Sequence, residues 1–285
     1  MSDMITARGL IKAYGSTRAL DNTSFTVERG RIVGLVGPNG AGKTTALRAM
    51  LGLTNFDGDL SILGIDPRTD RSRLMESVCF VADIAVLPRW LRVNQAVDFM
   101  QNVHPKFNRA KAEAFLSRTN IVPSHKVKAL SKGMVAQLHL ALVMAIDAEL
   151  LVLDEPTLGL DILYRKKFYE SLLNDYFDDN KTIVVTTHQI EEIENILTDV
   201  LFIRNGRIVL DSSVEELADA FTEVLVKPEH ADTVRRMNPI HERSVFGKQL
   251  FLFEDVSRAD LEPYGEIHTP GISDIFVAKM EMVSS

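Results

Sequence analysis

Apolar runs of four to six residues alternate with stretches of helical period along most of this chain. The stretches at 5–10 and 23–27 and the apolar run at 32–36 predict short strands, with Glu28-Arg29-Gly30-Arg31 as a turn. Good helix formers follow at 45–51, then a turn at Phe56-Asp57-Gly58-Asp59, a strand at 60–63, a helical stretch at 71–77 and a buried strand at 78–81. From about 84 to 146 the period becomes helical. Val93, Ala96, Val97, Met100 and Val103 form one stripe, and helices are also expected over 109–120 and 134–146, the latter after Ser131-Lys132-Gly133. Strands return at 150–153 and 182–186 around a helix at 162–177. A helix at 189–197 and a hairpin of 200–203 with 207–210, turning at Asn205-Gly206, complete this part. Strands alternating with helices predict a mostly parallel α/β core interrupted by a helical insert. Beyond 220, strands at 223–226 and 249–253 and a helix at 231–237, punctuated by Pro228, Pro239, Pro263 and Pro270, predict a small α+β appendage.

Composition narrows the class. Hydrophobic residues make up 46% and charged residues 25%, as in an ordinary water-soluble protein. The net charge of −7 argues against nucleic acid or an anionic membrane surface as the main partner. Cys79, the single cysteine, lies in an apolar run, so neither a disulfide framework nor a cysteine zinc site is expected, which suits a reducing cytoplasm. The N-terminus lacks the pattern of a signal peptide, and no apolar run approaches the roughly 18 residues needed to span a bilayer. The densest, 138–146, is closed by Asp147. If the protein serves a membrane process, another chain supplies the membrane part.

The chemistry is concentrated at three strand ends. Gly37-Pro38-Asn39-Gly40-Ala41-Gly42-Lys43-Thr44-Thr45 follows a buried strand and opens a helix, and it fills every fixed position of a phosphate-binding loop. Glycines let backbone N–H groups close around an anion, and the helix N-terminus adds partial positive charge. Lys43 can reach the β- and γ-phosphates of a nucleoside triphosphate, and the Thr44 hydroxyl can ligate Mg²⁺. Asp154 and Glu155 end a second buried strand, at the side of a parallel sheet where ligands bind. Asp154 is expected to hold Mg²⁺ opposite Thr44, and Glu155 to orient or deprotonate an attacking water. His188 ends a third strand and can donate a hydrogen bond to charge developing on the γ-phosphate.

Together these residues resemble the ATP-binding subunits of ABC transporters, over about residues 4–218. Leu130-Ser131-Lys132-Gly133-Met134 stands in the place of the family's L-S-G-G-Q signature. Leu158-Gly159-Leu160-Asp161 matches its D-loop and His188 its switch histidine. Tyr14 matches the aromatic residue that stacks on adenine, and Val78 through Asp83 the strand entering the Q-loop. The resemblance implies a P-loop NTPase core of ABC ATPase type, with an antiparallel β subdomain and a helical subdomain at about 84–146. That puts the ATPase domain at 1–220 and a small α+β extension at 221–285. It also implies Mg-ATP bound at a head-to-tail homodimer interface. Residues Gly37 to Thr45 and Tyr14 of one copy would face Ser131 and Gly133 of the other, with Asp161 also contacting the nucleotide and Glu155, His188 and Lys43 catalytic. Thr44, Asp83 and Asp154 would serve the metal. Asp83 stands where the family has Gln; a carboxylate suits Mg²⁺ but is repelled by the γ-phosphate. Lys132 and Met134 also depart from the signature; Lys132 would either add attraction to the partner's triphosphate or face solvent, and the solvent-facing reading is favoured. The L-S-K-G-M variant and the segment Val103-His104-Pro105-Lys106-Phe107 resemble a bacterial exporter subgroup whose permease is a separate chain. The chain would then sit at the inner face of the membrane through that permease. Trp90 would lie near the cleft for the permease, as an interface anchor or a core residue. The alternative is a soluble ABC-type ATPase with a regulatory or assembly role.

Overall fold

The computed structural model describes residues 3–82, 87–158 and 160–282. Its centre is a six-stranded sheet in the order β5-β6-β7-β3-β8-β9. A three-stranded antiparallel sheet, β2-β1-β4, lies over one face. Here β1 is Asp3–Tyr14, β2 Thr17–Glu28, β3 Ile32–Val36, β4 Asp57–Ile62, β5 Val78–Val81, β6 Leu150–Asp154, β7 Thr182–Thr187, β8 Asp199–Arg204 and β9 Arg207–Ser213. Strands β3, β5, β6, β7 and β8 run parallel, and β9 returns antiparallel at the edge. The buried five-residue run of β3 serves two interiors. Val33 and Leu35 pack with the antiparallel sheet and with α1 (Lys43–Met50), whereas Ile32 and Val36 face the helical side. That is the period-2 alternation of a strand covered on both faces.

The hairpin β1–β2 is longer than the patterning predicts, turning at Gly15-Ser16. The alternation is broken at a bulge between Ala7 and Leu10, where Gly9 (φ 60°) and Asn22 (φ 57°) take left-handed conformations. A two-residue period read from sequence stops there, although the pairing continues.

Helix α2 (Arg71–Leu74) buries Leu74 on the side of the antiparallel sheet, whereas the helical side contains α3 (Val93–Val103), α4 (Arg109–Leu116), α5 (Lys132–Met144) and α6 (Ile162–Ser171), which continues as a π-helical turn at Leu172–Tyr176. The continuous helix expected at 189–197 is instead two 3₁₀ turns, Ile190–Glu192 and Glu194–Ile196. Ile190, Ile193 and Ile196 recur every third residue, and the first two are fully buried; three residues per turn is the 3₁₀ repeat.

After α7 (Val214–Ala220) comes a four-stranded antiparallel sheet, β11-β12-β10-β13, from β10 (Phe221–Val226), β11 (His241–Val245), β12 (Lys248–Glu254) and β13 (Gly265–His268). One face packs Val224, Val226, Phe251 and Phe253 against α8 (Pro228–Arg235) and α9 (Arg258–Leu261). The other lies under α10 (Ile272–Met282), whose Ile272, Ile275 and Ala278 share a core with Phe202 of β8 and Leu252 of β12. Phe276 meets Phe202 edge to face at 5.1 Å. Among the described residues no helix is long and apolar enough to cross a membrane.

Candidate active site

Between β3 and α1 the chain turns on Gly37 and Gly42, which nothing larger could replace. A Cβ on Gly37 would collide with the Ile203 carbonyl, and one on Gly42 (φ 114°) with that of Ala19. Gly42 caps α1 without a side-chain hydrogen bond, which leaves the first amides of the helix to an anion. Lys43 opens the helix with its side chain buried. Its Nζ donates to the carbonyls of Gly37 (2.6 Å) and Pro38 (3.3 Å) and lies 3.9 Å from Glu155 Oε1. Burial lowers the Lys43 pKa, and the carboxylates of Glu155 and Asp154 oppose that shift. Thr44 is exposed on the same turn.

The strands next to β3 supply the acids. Asp154 ends β6 almost fully buried, and its Oδ1 accepts a 2.6 Å hydrogen bond from the Thr186 hydroxyl of β7. Glu155 takes φ 49°, its amide donating to the Thr186 carbonyl and hydroxyl at 3.2 Å each. That turn gives the two carboxylates different partners, Thr186 for Asp154 and His188 with Lys43 for Glu155. Glu155 Oε2 lies 2.6 Å from His188 Nδ1, so Glu155 bridges the histidine and Lys43. A cavity of about 550 Å³ opens over residues 38–45, and Ala19, Glu155, Leu158 and His188 also line it. Thr186 was missed by sequence reasoning. Its one signal in the sequence is a threonine inside a buried strand, which needs a hydrogen-bond partner; the register that sets it beside Asp154 is seen only in the structure.

The remaining sequence-derived residues lie elsewhere. Tyr14 ends β1, half exposed, with its hydroxyl 3.5 Å from Thr54 Oγ1 and its ring 5.1 Å from Lys12 Nζ. Its pKa is lowered chiefly by the Thr54 hydrogen bond, with Thr45 a further hydrogen-bonding neighbour. Ser131 caps α5 by accepting from the Met134 amide at 3.2 Å; it and Lys132 are exposed. Gly133 is buried under Tyr164 of α6, where a Cβ would sit 2.8 Å from the ring. Neither Ser131 nor Gly133 lines the cavity over the phosphate loop. Asp161 caps α6, accepting from the amides of Leu163 and Tyr164 at 3.1 Å each. Asp83 lies outside the described residues, as does Gly159 of the D-loop match. Trp90 is 70% exposed, which decides against a core tryptophan. The groove beside it, about 430 Å³, runs between Leu87, Arg89, Val127, Val135, His139 and Leu153.

A glycine loop at a helix N-terminus, a buried lysine and acidic strand ends define a phosphate-loop nucleotide-binding protein. The family described as ABC transporter matches residues 20–158. The Nod factor export ATP-binding protein I of Cupriavidus pinatubonensis is 31% identical over 272 residues, spanning 89% of this chain and 81% of its own length. The ABC transporter ATP-binding protein YtrB of Bacillus subtilis is 28% identical over 222 residues, 78% of this chain and 76% of its own length. A solved structure of an ATP-binding subunit of an ABC transporter superposes with TM-score 0.68 at 23% identity, covering 76% of this chain and 92% of that one. The chain belongs to the ATP-binding subunits of ABC transporters. Its activity is ATP hydrolysis coupled to transport.

Proposed function

We propose that this ATPase works as a head-to-tail homodimer that powers a separate transmembrane permease, in the direction of export. In each site, Gly37 to Thr45 of one copy cradle the triphosphate and Tyr14 takes the adenine, while Ser131, Gly133 and Asp161 come from the other copy. The observation that carries this reading is the one-sided cavity. The loop, Glu155 and His188 line it, while Ser131 and Gly133 of the same chain do not. Leu158, Ile162 and Leu163, next to Asp161, are 50%, 80% and 70% exposed, apolar surface that a second copy would cover. Support for export comes from the Cupriavidus relative, which is named for Nod factor export. The groove beside the exposed Trp90 is the place for a permease segment, and the permease would hold the chain at the inner face of the membrane.

Thr44 and Asp154 fit Mg²⁺. Both offer hard oxygen, the Thr186 hydroxyl steadies Asp154, and among the described residues no group of three acidic, histidine or cysteine side chains forms a self-sufficient cage. Such a sparse set suits an ion completed by phosphates and water. Bound there, it would neutralise phosphate charge. Lys43, released from the Gly37 and Pro38 carbonyls, pairs with the phosphates. Glu155 accepts the proton of the attacking water, and the Nδ1–H of His188 holds that carboxylate in place. The ring's Nε2 remains to meet the γ-phosphate, as a donor when the imidazole is protonated.

Glu155→Gln tests the reading. ATP binding should persist while turnover falls roughly 10²–10³-fold, and light scattering should show a dimer that forms only with ATP. Unchanged hydrolysis would reassign the base, and a monomer in saturating ATP would remove the shared site.

A further inference from the structure

His188 is not placed by a regular helix. The segment behind it has irregular backbone at Gln189 (φ −119°, ψ 76°) and Ile193 (φ −125°, ψ −7°), and the first 3₁₀ turn closes with a long 3.3 Å hydrogen bond from Glu192 N to the Gln189 carbonyl. Arg165 fixes this segment from outside. Standing on α6 four residues past Asp161, its guanidinium donates from Nε to the Leu160 carbonyl at 2.7 Å. From Nη1 it donates to Gln189 Oε1 at 2.8 Å and to the Glu192 carboxylate. The Gln189 amide in turn donates to Thr187 Oγ1 at 2.9 Å, at the end of β7. Arg165 and Glu192 are each about a quarter exposed, so the pair is shielded yet reachable. A planar guanidinium holds several acceptors in a fixed relation at once, which lysine cannot do.

We propose that Arg165 is a positioning residue for His188. It ties the outward-facing stretch that ends in Asp161 to the turn after β7, and so holds the imidazole at Glu155. A shift of Leu160 or Asp161 is thereby transmitted through one rigid side chain to the group that meets the γ-phosphate. The inference rests on the reading that His188 acts in hydrolysis, so His188→Ala belongs in the same experiment.

The test is steady-state ATPase kinetics and equilibrium binding of a fluorescent ATP analogue on the full chain. It compares Arg165→Ala, Glu192→Gln, His188→Ala and the double variants that combine His188→Ala with each of the other two. Arg165→Ala and Glu192→Gln should each lower kcat roughly ten- to a hundredfold, the scale of a misplaced catalytic group, with analogue affinity unchanged. In the His188→Ala background neither should lower kcat further. Losses that add in the double variants, or a loss confined to analogue affinity, would overturn the inference. Glu192→Gln keeps the shape of a side chain at the edge of the fold, so it decides the matter if Arg165→Ala does not fold; an unchanged kcat in Glu192→Gln overturns it as well. Full turnover in His188→Ala alone would instead sink the reading of the site, and this inference with it.

Discussion

His139 lines the groove beside Trp90 with its Nε2 buried and unpartnered, and burial alone pulls its pKa down to about 4. In the unfolded chain the ring titrates near the ordinary value of about 6.5. Between those values the unfolded state binds the extra proton, so stability is lost as pH falls through this window. From pH 7.5 to 5.0 the unfolded ring becomes mostly protonated while the folded one stays mostly neutral, a loss of about 2 kcal/mol from this residue. For a chain of this size that is roughly 3–4 °C of melting temperature. His139→Leu removes the titrating group and the orphaned nitrogen at similar volume. It should be neutral or mildly stabilising at pH 7.5, and its melting temperature should fall less on acidification by that amount. Calorimetry of both proteins at pH 7.5 and 5.0 measures the difference directly and cancels every other titrating group. Equal acid shifts in the two proteins would refute the reasoning, since the folded imidazole would then take up its proton freely.

The geometry sets two further outcomes. Trp90→Ala should change the denaturation free energy by no more than about 0.5 kcal/mol, as a surface substitution, and leave ATPase activity of the isolated chain intact while permease-coupled transport falls. An unfolded variant would mean that the ring supports the core after all. Thr186→Val keeps shape but strips the 2.6 Å donor from buried Asp154 and an acceptor from the Glu155 amide. The cost should be about 1–3 kcal/mol in a urea titration, with Mg-ATP turnover reduced; an unmoved midpoint would show that Asp154 finds another donor.

The site was legible because its residues end buried strands. Apolar runs at β3, β6 and β7 announce themselves, and the residues just past each run must lie at the same edge of a parallel sheet. The contact of Glu155 with His188 is a result of that adjacency, but the left-handed turn at Glu155 that makes it possible has no sequence signature. The segment after His188 was misread because isoleucines three apart satisfy a coarse helical pattern as well as a 3₁₀ one. In the C-terminal sheet the strands found were the apolar ones, β10 and β12. Strands β11 and β13 were invisible because charge runs along the face that meets α10. Arg243 reaches Glu223 (3.5 Å) and Asp274 (2.9 Å), and His241 reaches Glu281 (3.2 Å). Glu223 is nearly buried there, and burial pushes its pKa up. Polar residues that pair under a helix look like loop residues in a one-dimensional pattern.

The seat of α10 on Phe202 and beside the turn after His188 bears on how far this chain is modular. Phe202 is wholly enclosed, and Phe276 from the far end of the chain is among the residues that close over it. Ile190, two positions past His188, lies in that same interior as Ile272 and Ile275. The segment beyond 220 therefore cannot be traded between relatives as a detachable cartridge. A transplanted tail would have to bring side chains that fit these core residues, and a poor fit would be felt first beside His188.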